Sequence, residues 1–229
     1  MAYTFRPLTP GVLPDFERLL GLRGACAGCW CTFFRYRKAE WEAGQGEGNR
    51  LRQAAYVRGG AVPGLVAYDG DEPAGWVAVE PRGNYPVVLA SRTTRPADGD
   101  PERDGIWAIT CFYVPRRLRG RGLMRALVDA AVAHARGAGA RAVEAYPVDY
   151  RKPVGTAFLY HGVASVFRRA GFREVERRSA TRPIFRLELC AGGARPVTAP
   201  RERPARGRAG ARSTPGTSPR RRSASRRGR

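Results

Sequence analysis

The stretch Val114-Pro-Arg-Arg-Leu-Arg-Gly-Arg-Gly122 limits what this chain can fold into more than any other part of it. Before it stands Ile106–Val114 (IWAITCFYV), apolar and β-branched or aromatic almost throughout, which predicts a buried strand. After it stands Leu123–Arg136, rich in Ala, Leu and Val, with charges at Arg125, Asp129 and Arg136. Gly137 and Gly139 stop that predicted helix. Ala142–Tyr146 reads as another buried strand. Strand, glycine turn, helix and strand form a βαβ unit, here embedded in a mixed sheet.

The flanking segments fill out the sheet. Tyr3–Leu8 reads as a short strand, and Asp15–Leu22 as a helix following Pro14, a natural first-turn residue. Leu51–Arg58 predicts a further short helix. Gly64–Tyr68 and Ala74–Glu80 are apolar runs joined by DGDEP, the chemistry of a hairpin turn. Ala164–Ala170 predicts a short helix ended by Gly171, with closing strands at Phe172–Val175 and Ile184–Leu189. The polar connection Pro81–Arg103 carries no assignable pattern. The fold class is α/β in the broad sense (α+β), a mixed and mainly antiparallel sheet flanked by helices.

The glycine loop also carries chemistry. Two glycines let the backbone turn tightly and bring successive N–H groups near a ligand. The following helix aims its unsatisfied N–H groups and positive dipole end at the same place. Arg116, Arg117, Arg119 and Arg121 add positive charge, and such a loop suits a pyrophosphate. It lacks the Lys-Ser/Thr pair of a P-loop. It also departs from a dinucleotide fingerprint, because Arg125 replaces the third glycine and no acid ends the strand at Tyr146.

Strand, then Arg117-x-x-Gly120-x-Gly122, then a long helix, resembles motif A of the GNAT superfamily of N-acetyltransferases. Val114, six residues before the first motif glycine, fits the same pattern, and Ala170-Gly171-Phe172 resembles the family's closing motif. The segment Cys29-Trp-Cys31 with Phe33–Arg35, and later Glu144–Asp149, resembles a bacterial subgroup. The resemblance spans residues 1–190 and implies transfer of an acetyl group from acetyl-CoA, as co-substrate, to a primary amine, a small molecule rather than a protein. It implies that the backbone of Phe112, Tyr113 and Val114 lines pantetheine. Arg117, Arg119, Gly120, Arg121, Gly122, Leu123 and Met124 would then hold the pyrophosphate. Dimers are common among the proteins it resembles.

Two departures concern proton transfer. Many relatives place a glutamate on the strand before motif A, and Ile106–Val114 holds no acid. Glu144, flanked by apolar strand residues where burial would raise its pKa, is the first candidate to replace it, with Glu80 and Asp149 behind it. The thiolate-protonating tyrosine expected four residues before Gly171 is Phe167 here; Tyr160 and His161 are the nearest substitutes. Each also has a bland reading as a paired or structural residue. Both departures equally fit a non-catalytic CoA-binding fold.

Cys26-x-x-Cys29-x-Cys31 supplies only one knuckle of a zinc site, and no second C-x-x-C exists, so no metal is expected. Core packing beside Trp30, Phe33 and Phe34 is the default, with a substrate-site or redox role as the alternative. The Trp30–Trp41 aromatics either roof the acceptor pocket or form the apolar face of a core helix.

Charge enters last because it is ambiguous. The 229 residues carry a net charge of +21, and only Lys38 and Lys152 among the 41 basic residues are lysines. An Arg, Ala, Gly and Pro skew is what GC-rich coding produces. Residues 191–229 hold twelve arginines against Glu202 alone, about half of the charge. That Arg/Pro/Gly/Ser-rich segment has almost nothing to bury and is expected to be a disordered tail outside the domain of residues 1–190. Its alternative function is unspecific, salt-sensitive contact with nucleic acid. No window approaches the roughly 20 apolar residues of a membrane span. The first residues lack the apolar core of a secretory signal, so a cytoplasmic location is expected and no membrane partner.

Overall fold

A computed structural model describes residues 3–96, 104–149 and 160–189. The chain divides into two units, Met1–Gly192 and Gly193–Arg229, and every described residue belongs to the first. The expected tail at residues 191–229 lies outside the described residues.

Seven strands form one sheet: β1 (Thr4–Pro7), β2 (Gly64–Asp69), β3 (Glu72–Pro81), β4 (Ile106–Tyr113), β5 (Ala142–Ala145), β6 (Arg173–Arg177) and β7 (Pro183–Glu188). Their spatial order is β1-β2-β3-β4-β5-β7-β6. Every neighbouring pair is antiparallel except β4–β5. That pair is parallel because the chain between the two strands runs back through α5 (Leu123–Gly137), as a βαβ crossover requires. The mixed, mainly antiparallel sheet flanked by helices is the architecture the apolar runs predict.

Each sheet face has its own cover. On one face, α5 turns Leu123, Leu127, Val128, Ala131, Val132 and Ala135 inwards, the stripe expected of a 3.6-residue period. They pack on Val77, Val79, Ile109 and Phe112 of the sheet, joined by Val166 and Phe167 of α6 (Ala164–Arg169). Each fully buried Leu or Phe contributes about 1.5–3 kcal/mol against exposure. Gly75 lets α5 approach, since a Cβ there would stand 3.1 Å from Leu123 Cδ2. On the other face, α1 (Leu13–Leu20) and α3 (Glu47–Arg58) place Phe16, Leu19, Ala54 and Val57 around Trp76 and Cys111. Two short helices stand nearby, α2 (Lys38–Ala43) and α4 (Pro86–Ala90), the latter inside the connection that showed no sequence pattern. Among the described residues, no helix is long and apolar enough to cross a membrane.

A buried group of charges lies at β5 and β7. Glu144 of β5 meets Arg82 and Arg186, and the Tyr146 hydroxyl donates to it. A buried carboxylate needs such partners, because its desolvation would otherwise cost several kcal/mol.

The β2–β3 pairing depends on Gly64. Its φ is +155°, and a Cβ would fall 2.0 Å from the Val77 carbonyl oxygen. Gly64→Ala is therefore expected to cost about 2–4 kcal/mol by combined strain and lost pairing. Urea denaturation of the two proteins checks this; equal midpoints would contradict it.

Candidate active site

β4 and β5 hold together for only four residue pairs, from Ile106↔Ala142 to Ile109↔Ala145. β4 then continues to Tyr113 while the chain after β5 turns away. Pro147 has no N–H to continue the ladder, and Val148 pairs instead with Val163. The result is a cleft in the middle of the sheet whose one wall is the open edge of β4.

A bulge shapes that wall. Across β3, Val79 faces Ile109 and Ala78 faces Cys111, leaving Thr110 as the extra residue. The bulge lets Ile109 and Phe112 enter the core beneath α5 while Cys111 joins the opposite face. Simple alternation would have put Ile109 and Cys111 on one side.

At the far end of β4 the chain enters the glycine loop. Gly120 and Gly122 have φ of +76° and +81°, a region costly for residues with a Cβ. Open space surrounds both. The N–H groups of Gly120, Arg121, Gly122, Leu123 and Met124 donate to no acceptor among the described residues, and no side chain caps α5. Arg119 Nε reaches back to the Val114 carbonyl at 3.1 Å and fastens the loop to the strand end. Arg116, Arg117 and Arg121 lie towards solvent, whereas Leu123 is buried in the core. Unfilled donors, a helix N-terminus and accessible cationic side chains together form an anion cradle. Phe112 also buries its side chain, against Phe167, so its backbone is what the cleft receives.

Tyr160 and His161 come to the same cleft. Their rings lie 4.1 Å apart, and His161 also meets Phe34 at 5.4 Å. Arg182 Nη2 stands 3.1 Å from His161 Nε2. Arginine has only donors, so Nε2 must accept and the ring proton resides on Nδ1. Burial, with Arg182 second, pulls the His161 pKa down to about 3. Tyr160 is half-buried, and burial raises its pKa, so its hydroxyl stays protonated. Phe167, where the resemblance led to an expectation of tyrosine, is core and packs on Phe172.

The carboxylates are committed elsewhere. Glu144 is 0% exposed. Its Oε1 accepts from Arg186 at 2.6 and 3.1 Å, and its Oε2 from Tyr146 at 2.8 Å and Arg82 at 3.2 Å. No face of it is open to an amine or to water. Glu80 is equally enclosed by Arg35 at 2.5 Å, the Tyr56 hydroxyl at 2.8 Å and Asn84 at 3.2 Å. Asp149 lies outside this region, its pKa lowered by hydrogen bonds from Arg168 and Arg177.

The cysteines gather under the aromatic segment. Cys31 Sγ and Cys111 Sγ lie 3.7 Å apart. The Cys111 contact and burial push the Cys31 thiol well above its ordinary range, and burial lifts Cys29 to about 11. Both therefore stay protonated at neutral pH and are poor nucleophiles. Among the described residues, no group of three or more His, Cys, Asp or Glu is placed to hold a metal. Trp30 is core, packed near Phe16, while Trp41 is half-buried against Phe33.

A sequence profile described as the Acetyltransferase (GNAT) family matches residues 30–159, more than half of the chain. The protein belongs to that family. Solved structures to which it is similar include three acetyltransferases. The PaiA N-acetyltransferase of Thermoplasma acidophilum, in complex with coenzyme A, is 11% identical (82% of this chain and 100% of that chain covered, TM-score 0.46). An acetyltransferase from Thermus thermophilus is 18% identical (82% and 98% covered, TM-score 0.45). An N-acetyltransferase from Staphylococcus aureus is 12% identical (82% and 99% covered, TM-score 0.47). No curated protein matches the sequence significantly.

Sequence reasoning missed two parts of this region: the Thr110 bulge and Arg182. A bulge leaves no mark in an apolar run, and Arg182 lies 21 residues from His161 in sequence. The low His161 pKa has a consequence for stability. Between pH 6.5 and about 3 the unfolded chain binds a proton at His161 that the native state refuses, so stability falls as pH falls. The contribution is present above pH 6.5 and amounts to roughly 2 kcal/mol lost by pH 5. In His161→Asn, denaturation at pH 7 and pH 5 should show a smaller acid loss by that amount. An identical acid loss in both proteins would contradict the assignment.

Proposed function

We propose that the protein transfers an acetyl group from acetyl-CoA to a primary amine of a small-molecule acceptor. The observation that carries the reading is the cleft itself: an open β4 edge running straight into five unfilled backbone donors at a helix N-terminus. An extended, amide-bearing arm ending in a pyrophosphate fits both parts. The edge of β4 at Phe112, Tyr113 and Val114 offers strand-like hydrogen bonds to the arm. The N–H groups from Gly120 to Met124 receive phosphate oxygens, with Arg117 and Arg121 supplying charge and Arg119 fixing the loop. Acetyl-CoA supplies a thioester, an acyl donor that needs only a neutral amine in line and a place for developing charge.

Among the groups named from the sequence, the geometry favours Tyr160 for handling a proton. Its hydroxyl keeps the proton at Oη and stands at the cleft, where a departing sulfur would take it. His161 is too weak a base for that work at a pKa near 3. Glu144 serves as the counter-ion of Arg82 and Arg186. β4 contributes no acid, so the acceptor must reach the cleft as the neutral amine, and turnover should rise with pH towards the acceptor's own pKa.

Gly122→Val tests the cradle. A β-branched residue at φ +81° and a side chain in the space above α5 should weaken CoA binding at least tenfold, measured by calorimetry. Thermal denaturation of the variant separates this loss from unfolding. Undiminished binding in a folded variant would remove the phosphates from this loop. For the wild type, thiol release from acetyl-CoA should depend on an added amine; release that ignores a panel of amines would defeat the transfer reading.

A further inference from the structure

Two thiols from distant parts of the chain touch beside the β4 bulge. Cys31 Sγ stands 3.7 Å from Cys111 Sγ, though the residues are 80 apart in sequence. Cys111 follows Thr110 on β4 and lies opposite Ala78 of β3. The four described cysteines are all free. An unusual loop holds Cys31 against the strand. Among the described residues, the non-glycine positions with positive φ are Ala25, Ala27, Trp30 and Cys31, at +68°, +48°, +48° and +57°. Residues with a Cβ keep that conformation only where their surroundings impose it. Two close glycine contacts impose it here. A Cβ on Gly24 would collide with the Trp30 indole, and one on Gly28 with the Gly46 backbone. Gly46 N–H also donates to the Gly28 carbonyl at 3.1 Å.

The two sulfurs differ in access and in surroundings. Cys111 is buried, whereas Cys31 keeps part of its surface exposed. The indole N–H of Trp76 donates to the Cys31 sulfur, a contact that favours its thiolate. Cys111 and burial outweigh that contact and keep the thiol protonated, so oxidation at Cys31 is slow. Cys31 and Tyr160 pack against the same core cluster, to which Cys111 belongs. Burial first, and Cys111 after it, raises the Tyr160 pKa. The thiol pair therefore adjoins both the proposed proton donor and Phe112 at the free edge of β4.

We propose that Cys31 and Cys111 form a redox modification site, which a hydroperoxide oxidises to a disulfide that switches acetyl transfer off. The accessible Cys31 reacts first. Its thiolate attacks one peroxide oxygen, the O–O bond breaks, and the leaving oxygen takes up the proton that the thiol lost. Cys31 is then a sulfenic acid. The Cys111 sulfur attacks the Cys31 sulfur, the S–O bond breaks, and hydroxide leaves with the Cys111 proton as water. With hydrogen peroxide, two thiols lose two electrons and one peroxide becomes two waters. Bonding draws the sulfurs from 3.7 Å to about 2.05 Å, pulling on β4 next to Phe112 and on the packing of Tyr160. A shift of about 1 Å near the chemistry can cost about 10²-fold in rate. The effect on turnover rests on the acyl-transfer reading above, whereas the disulfide itself does not.

The test treats the full chain with hydrogen peroxide and then removes the peroxide by desalting. Tryptic digestion without reductant should yield Gly24–Arg35 joined to Asp104–Arg116, and fragmentation should place the bond at Cys31 and Cys111. The oxidised protein should release CoA from acetyl-CoA about 10²-fold more slowly in the presence of an amine, followed by chromatography. A dithiol reductant should restore the rate. Cys31→Ser should form no such bond and keep its turnover after peroxide. No linkage, or a linkage through Cys26 or Cys29 instead, overturns the modification site. A Cys31–Cys111 disulfide that leaves turnover unchanged overturns the switch. A reduced protein that acetylates no amine overturns the acyl-transfer reading and the switch with it, while the peptide map still decides the modification site. That map is made on the wild type, so it holds even where Cys31→Ser fails to fold.

Discussion

The rest of the site depends on the parting of β4 from β5 after Ile109↔Ala145. Two parallel strands held by regular hydrogen bonds would close the sheet and leave no backbone for a ligand. Here Pro147 ends the ladder, Val148 takes Val163 as partner, and the freed edge of β4 leads directly to the Gly120–Met124 donors. The α5 core is what holds this geometry. Leu123 and Leu127 anchor the first turns of the helix against β3, so the N-terminus that carries the donors is fixed by apolar packing from beneath. Stability and binding therefore share one helix, buried along one stripe and open at one end.

The charges are arranged so that the cleft stays free of fixed carboxylates. Glu80 and Glu144 are both buried on strands, and both spend their oxygens on arginine and tyrosine. What remains beside the bulge is the neutral His161 ring with the Arg182 guanidinium against it. That arrangement suits a reaction whose charge is transient, because fixed anions near a developing oxyanion would raise its energy. The protonated thiols of Cys29 and Cys31 add polarisable volume beneath the aromatic segment and no charge.

Much of the architecture was legible in the residues. Apolar runs at Ile106–Val114 and Ala142–Tyr146, with Gly120 and Gly122 between strand and helix, foretell β4, α5 and β5 because burial on both faces and a tight turn demand those residue types. The hairpin of β2 and β3 follows from DGDEP between two apolar runs. The site was legible only where backbone does the work. Glu144 reads from its apolar neighbours as a buried carboxylate, yet Arg82 lies 62 residues away in sequence and Arg186 lies 42 away, and no local pattern announces their approach. Tyr160 and His161 could be named as substitutes for the tyrosine replaced by Phe167, but no sequence pattern hints that Arg182 holds the ring. The Thr110 bulge depends on register and is a three-dimensional fact.

Amide hydrogen exchange with and without CoA tests the central claim most directly. Binding should slow exchange at Phe112–Val114 and at Gly120–Met124, the open strand edge and the helix N-terminus, and leave the amides of β1 and β2 as they were. Protection confined to other segments, with these amides exchanging as fast as in the free protein, would contradict the account.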